Sequence, residues 1–309
     1  MASALAKSLA RVSVVLKAAG TQSMTKTAPF LDCIVRYFEP EKHFVTVKCS
    51  FEENLLTLHG PVTDIECSRT PVDEASTLSV VLQHSVECPF ANLTEEDSKL
   101  IQQDVTERGV AVGVAVVLES SDNRILMTRR ASHLRTYPNA WVPPGGHIEL
   151  NESFIKAGLR ELEEETGVHL DGSLATFRVL CLWEAVYPVL LGLGLPKRHH
   201  VVVYLHVLVN KPWQDIHEDI KLDPEEVQAC TWLTADIVAL LLRGKKENLG
   251  THHSFLLKDD GSLLPSSLEL KSMFSHLLWR EGRVYSGSQL ALTKWMEIVN
   301  NRSQLPSKI

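Results

Sequence analysis

Three carboxylates, Glu161, Glu164 and Glu165, carry the strongest chemical signal in the chain. They lie in the run Arg160-Glu161-Leu162-Glu163-Glu164-Glu165-Thr166-Gly167, at the three- and four-residue spacings that share one side of a helix. Like charges so placed repel by about a few tenths of a kcal/mol per pair unless a cation neutralises them. Ligands that offer only oxygen suit Mg²⁺ or Mn²⁺. Zinc would call for His or Cys at fixed offsets, and the stretch from Asn151 to Thr166 contains neither. A bare glutamate run is more often the solvated face of a surface helix, but two neighbours argue against that here. Glu152 precedes Arg160 by a little over two helical turns, so the two can pair and orient the acidic cluster. Gly145 and Gly146 stand ahead of the helix, where a loop must bend closely against it.

Together these residues resemble the Nudix box, Gly-x5-Glu-x7-Arg-Glu-U-x-Glu-Glu-x-Gly-U with U aliphatic. Gly146, Glu152, Arg160, Glu161, Leu162, Glu164, Glu165, Gly167 and Val168 match it without departure. The surroundings are similar too: a hairpin over 112–130, the lead-in Trp141-Val142-Pro143-Pro144-Gly145-Gly146, and Glu226-Val227 followed by Trp232. The resemblance spans roughly residues 110–243. It implies a Nudix α/β/α sandwich around a mixed sheet and hydrolysis of a pyrophosphate link in a nucleoside diphosphate joined to another group. It also implies that Glu161, Glu164 and Glu165 ligate Mg²⁺ or Mn²⁺, with Glu164, Glu165 or Glu226 as the catalytic base. Glu225 competes with Glu226 for that place, and Gly146, Glu152 and Arg160 support the site.

Three substrate readings follow. The chain as a whole resembles a cap-hydrolysing branch of the family, which implies release of methyl-GDP from methylguanosine-capped RNA. Aromatic faces would then meet the cationic base, with Trp141, Trp183, Tyr187 and Tyr204 as candidates and ordinary core as the alternative for each. A second reading takes Thr128-Arg129-Arg130-Ala131-x3-Arg135 and Pro144-Gly145-Gly146 as a partial coenzyme A signature, in which Arg130 and Arg135 clamp phosphates. It departs from that signature at Met127, Asn139 and Pro143. The third is a module that binds nucleotide or RNA without cleaving it, which the complete set of box carboxylates disfavours.

The elements that must hold these residues are readable in outline. Val110–Leu118 and Arg124–Thr128, joined by the turn Ser120–Asn123, form a hairpin. Asn151–Thr166 is a helix with Asn151 as N-cap and Gly167 past its end. Strands follow at Phe177–Val186 and His200–Leu208, and a helix at Ala235–Leu242 with Thr234 as cap. Two more helices are expected at Ser266–Trp279 and Ser288–Asn300. Before the box, His43–Cys49 and Leu55–His59 alternate as short strands, and Thr94–Arg108 reads as a capped helix. The expected organisation is an N-terminal α+β region over 1–105, a hydrolase domain over 106–243 and a helical extension over 244–309.

Composition narrows the function classes. The 309 residues are 44% hydrophobic and 22% charged, an ordinary globular balance. A net charge of −7 excludes a strongly basic nucleic-acid binder, so an RNA substrate would need cations and a local strip such as Arg129, Arg130, Arg135, Lys197 and Arg198. The longest uncharged apolar stretch, Ala185–Pro196, is too short to span a membrane. Cysteines at 33, 49, 67, 88, 181 and 230 contain no CxxC pair, which argues against a zinc ribbon or a thioredoxin-like site and, in a chain of this length, for a reducing compartment. Residues 1–31 carry Lys7, Arg11, Lys17 and Lys26 and no acid. They read as a basic first element of the fold or an organelle transit peptide. The closing Ser307-Lys308-Ile309 is one residue from a peroxisomal address. A cytoplasmic enzyme is the first expectation, with mitochondrial or peroxisomal placement as alternatives.

Overall fold

The computed structural model describes residues 12–18, 25–52, 54–62, 77–243, 249–274 and 283–304. Lys7, Arg11, Cys67 and the Ser307-Lys308-Ile309 terminus lie outside them. In chain order the strands are β1 (Ser13–Ala18), β2 (Thr25–Thr27), β3 (Phe44–Glu52), β4 (Leu55–Gly60), β5 (Leu78–His84), β6 (Ala111–Glu119), β7 (Arg124–Arg130), β8 (Trp141–Val142), β9 (Gly145–His147), β10 (Ala175–Tyr187), β11 (Arg198–Val209), β12 (Val227–Thr234), β13 (Thr251–Leu257) and β14 (Leu263–Glu269). The helices are α1 (Ile34–Phe38), α2 (Pro89–Asn92), α3 (Glu95–Leu100), α4 (Gln103–Thr106), α5 (Phe154–Thr166), α6 (Trp213–Glu218), α7 (Ala235–Arg243) and α8 (Ser286–Gln304). Strands and helices combine around mixed pairing, as the expected α/β class requires.

The chain divides into two compact units: residues 1–114, 146–158 and 181–205 form the first, and residues 115–145, 159–180 and 206–309 the second. In the first, the order β5-β3-β4-β1-β2 is mixed. β3 runs antiparallel to β4 and β5, whereas β1 runs parallel to β4, and Leu182–Glu184 of β10 pair in parallel with β5. Alternation decides which face is covered: Leu78, Val80 and Leu82 of β5 point inward with Val45, Val47 and Cys49 of β3 and Leu56 and Leu58 of β4. His84 takes the next inward place on β5 and is also buried. Gly113 on β6 must be glycine, because a Cβ there would stand 2.9 Å from the Gly146 carbonyl.

In the second unit β12 pairs antiparallel with β7 on one side and β13 on the other, and β14 closes the edge. Ile125, Leu126 and Met127 of β7, Trp232 and Leu233 of β12 and Trp295 of α8 fill its core.

Several expectations change here. Residues 266–269 are strand, not the start of a helix: Asp259-Asp260-Gly261, with Gly261 at φ +81, closes a hairpin that pairs Thr251–Leu257 with Leu263–Glu269. Pro265 fits that edge strand because no further ladder needs its missing N–H. Among the described residues after 248 the chain forms that hairpin, a short 3₁₀ turn at Leu270–Phe274 and the helix α8, and residues 275–279 of the expected helix lie outside the described residues. The helix expected over 94–108 is two short ones, broken at Ile101, although Thr94 does cap the first by accepting from the Asp97 N–H at 3.0 Å. The five described cysteines, Cys33, Cys49, Cys88, Cys181 and Cys230, are unbridged and buried.

Candidate active site

Helix α5 carries the acidic cluster. Its cap is Ser153, whose hydroxyl accepts from the Lys156 N–H at 3.2 Å. Asn151 sits at φ +63 in the preceding turn, where it exchanges hydrogen bonds with Asn54. The far end stops at Gly167, φ +71, whose N–H donates to the Glu163 carbonyl at 2.7 Å. A Cβ on Gly167 would stand 3.0 Å from the Lys221 side chain and 3.1 Å from its backbone nitrogen. That close approach lets the loop before β12 tie onto the helix end: Lys221 N–H donates to the Thr166 carbonyl at 2.7 Å, and Asp223 N–H to the Glu165 carbonyl at 3.1 Å.

The loop so anchored brings Glu226 to the helix. The Glu226 carboxylate lies close enough to raise the pKa of both Glu161 and Glu165. Its neighbour Glu225 turns away toward His133, 3.9 Å distant. Glu165 is 2% exposed, and burial, reinforced by Glu226 and Glu161, pushes its carboxyl up to about 8 against the pull of Arg130 and the Gly145 N–H. Its Oε1 accepts from Gly145 N–H at 3.4 Å, and its buried Oε2 has no hydrogen-bond partner among the described residues. Burial also raises Glu161 above the usual carboxylate range, against the pull of Arg160. Arg160 Nη1 reaches Glu161 Oε1 at 3.0 Å and Glu164 Oε2 at 2.8 Å, bracing two of the three box carboxylates, and Glu164 is the more exposed of them.

The remaining candidates divide. Arg130 is half-buried, fixed by its Nε to the Thr136 carbonyl at 3.2 Å, and its charge acts on Glu165. Arg135 is exposed on the following loop. Trp141 belongs to the core: it is 2% exposed, pairs with Arg129 in the β7–β8 ladder and donates its backbone N–H to the Arg283 carbonyl. A ring so covered has no free face for a base. Trp183 and Tyr204 are likewise buried, and Tyr187 is half-buried. An aromatic pair that sequence reading passed over stands in the second unit: Tyr137 and Tyr285 meet edge to face at 4.6 Å, with the Arg283 guanidinium 4.2 Å from the Tyr285 ring. Tyr137 follows the carbonyl that holds Arg130, but Tyr285 is 148 residues further on, so no local pattern marks the pair. Gly146 and Glu152 belong to the first unit, where Glu152 Oε2 accepts from the Glu149 N–H at 3.3 Å.

A buried carboxylate oxygen without a partner costs free energy unless something positive meets it. Here it lies among further carboxylates, and the donor set is oxygen throughout. The residues present therefore fit a divalent hard cation.

Sequence comparison agrees with this chemistry. The NUDIX domain profile matches residues 108–254, and the chain belongs to the Nudix hydrolase family. It is 36% identical over 295 residues to m7GpppN-mRNA hydrolase NUDT17 of Danio rerio, an alignment covering 90% of this chain and 93% of the relative. The proteins of the same name from Xenopus laevis and Homo sapiens are 39% and 37% identical, covering 71% and 81% of this chain and 76% and 77% of theirs.

Proposed function

We propose that this chain is a divalent-metal-dependent hydrolase of methylguanosine-capped RNA, splitting the cap's phosphoanhydride to release methyl-GDP. The observation that carries the reading is the Glu165 carboxylate, buried and half unpartnered among Glu161, Glu164 and Glu226. The substrate class is supported by relatives named for that activity, whose alignments cover 90% and 81% of this chain.

Glu161, Glu164 and Glu165 would hold Mg²⁺ or Mn²⁺. When bound, such ions neutralise phosphate charge and lower the pKa of an attacking water. Arg160 keeps the Glu161 and Glu164 side chains in place, so little ordering remains when substrate arrives. Glu226, exposed and facing the cluster, is positioned to take the proton from the attacking water, and Glu164 is the other exposed carboxylate able to do so. Arg130, partly buried beside Glu165, offers a fixed positive charge to a phosphate oxygen, with Arg135 as a looser second. With the Arg283 guanidinium over the Tyr285 ring, the half-buried Tyr137, next to the carbonyl that holds Arg130, is the aromatic ring that would meet a cationic methylated base.

The test is hydrolysis of cap-labelled RNA with Mg²⁺ or Mn²⁺, run beside coenzyme A and a dinucleoside polyphosphate. Methyl-GDP released from capped RNA with the highest kcat/KM, falling steeply as salt rises, is the expected result. Faster turnover of coenzyme A with a shallow salt slope would replace this substrate with the smaller one. Binding without turnover of any substrate would contradict the catalytic reading.

A further inference from the structure

Away from the acidic helix, the first unit buries a second cluster of ligand-type side chains. Cys33, His84 and Cys88 are 8%, 2% and 2% exposed, and one donor atom from each lies within 4.8 Å of the other two. Three separate elements bring them together. Cys33 caps α1, its sulfur accepting from the Arg36 N–H at 3.4 Å. His84 ends β5 at the position where the inward alternation of Leu78, Val80 and Leu82 calls for another apolar residue. Cys88 opens α2 after a turn in which its N–H donates to the Ser85 carbonyl.

The surroundings hold the donors in one orientation. His84 Nδ1 faces Cys33 Sγ at 3.2 Å, and its other nitrogen meets His43 Nδ1 at 3.3 Å, so the ring has one edge toward the sulfur and one toward a polar neighbour. That is the arrangement of a metal-binding histidine steadied from behind. Glu184, itself buried, accepts from the Ile34 and Val35 N–H groups at 2.6 and 3.0 Å and meets His199 Nε2 at 3.0 Å. It thereby pins the turn that carries Cys33, and its Oε2, 3.4 Å from the sulfur, puts a fourth donor within reach. Two thiols and the His84 imidazole, buried beside the Glu184 carboxylate, are costly unless their polarity is used. Sulfur and imidazole donors in this number select Zn²⁺ over the hard cations that suit the acidic helix.

We propose that Cys33, His84 and Cys88 bind a structural zinc ion in the first unit. On binding, the two thiols give up their protons to solvent, and the two thiolates balance the charge of the ion. No electron transfer is involved. The site lends the unit stability by joining α1, the end of β5 and the start of α2 through one ion.

The experiment uses the full chain, purified without chelator from zinc-supplemented culture. Elemental analysis should find about one zinc per chain retained after dialysis. X-ray absorption at the zinc edge should show two sulfurs at about 2.3 Å and nitrogen at about 2.0 Å. Glu165→Gln, which alters the acidic helix, should keep the sulfur-bound zinc, and Cys88→Ser should lose it. Should Cys88→Ser fail to fold, the absorption spectrum of the unaltered chain decides alone. Absence of retained zinc, a shell of oxygen and nitrogen only, or a Cys33–Cys88 disulfide in freshly purified protein would overturn the proposal. None of these outcomes bears on cap hydrolysis, which is assayed separately.

Discussion

The acidic cluster of the second unit and the thiol–imidazole cluster of the first are both sets of costly polar groups, but they answer that cost differently. Glu161, Glu164 and Glu165 stand on one helix with Glu164 exposed, and Glu165 keeps a buried oxygen unpartnered. Such a site is left unfinished by the fold and is completed by ions and substrate. In the other cluster, Glu184 already has two backbone donors and a histidine, and Cys33 and His84 already face each other. Those bonds knit the cluster into the fold, and the zinc proposed there would join its three donors as part of the structure and not of the reaction. The difference teaches which perturbations should reach catalysis and which should reach stability.

The largest expected effect tests the unfinished side. Glu165→Gln should lower kcat/KM on capped RNA by about a thousandfold, because a carboxylate that would hold the divalent ion is replaced by a neutral amide. Its melting temperature should stay near that of the unaltered chain, since no hydrogen bond to Oε2 is lost. A folded Glu165→Gln enzyme with full activity would break the comparison.

Glu184→Ala tests the finished side with the opposite signature. It strands the Ile34 and Val35 N–H groups and His199, which should cost about 3 kcal/mol of stability. Turnover per folded molecule, measured well below the melting temperature, should be unchanged. A catalytic defect without a stability loss would erase the distinction.

A third perturbation sharpens the contrast inside the second unit, at a buried group away from the acidic helix. Burial disfavours the Glu119 charge, yet contacts with the His206 ring and the Arg302 guanidinium at 2.6 Å hold its carboxyl below the usual range. Burial holds the His206 ring below its ordinary range as well, so at neutral pH a neutral ring donates to Glu119 and Arg302 supplies the opposing charge. Both shifts mean that the unfolded chain binds more protons. The stability they contribute is present at neutral pH, begins to fade as pH falls through the unfolded histidine range, and is lost as Glu119 titrates. Glu119→Gln should cost about 2 kcal/mol at pH 7, and thermal melts should show the gap to the unaltered chain narrowing toward pH 3. A gap that widens in acid would reverse the assignment.

The smallest effect belongs to the brace. Arg160→Ala frees Glu161 and Glu164 and should weaken Mn²⁺ binding about tenfold, read by calorimetry. An unchanged affinity would show that the carboxylates orient themselves.

The two clusters also differ in how legible they were. The acidic helix could be read directly because its residues fall within a few turns of one element, where spacing and geometry are nearly the same thing. The partner loop was legible only as far as Glu225 or Glu226. The close approach of Lys221 to Gly167, which aims Glu226 inward, is a tertiary contact. Cys33 lies 51 residues from His84, and no periodicity links them. The His84-x3-Cys88 spacing is the one local sign, and it has neither the two cysteines nor the two-residue gap of a CxxC pair. The misread cap has the same origin: Asn151 and Ser153 are both good caps, and only the positive φ of Asn151 separates them. Apolar periodicity alone makes residues 266–269 look helical, and the Asp260-Gly261 turn, which that pattern does not register, folds them back as a strand. Trp141 lies near the box in sequence, but that nearness carries no information about its burial in the core.

The central claim is that the box carboxylates gather divalent cations. Anomalous diffraction from crystals soaked in Mn²⁺ tests it most directly. Manganese density bounded by Glu161, Glu164 and Glu165 is the predicted result. Well-ordered carboxylates with no manganese among them, at concentrations that support turnover, would contradict it.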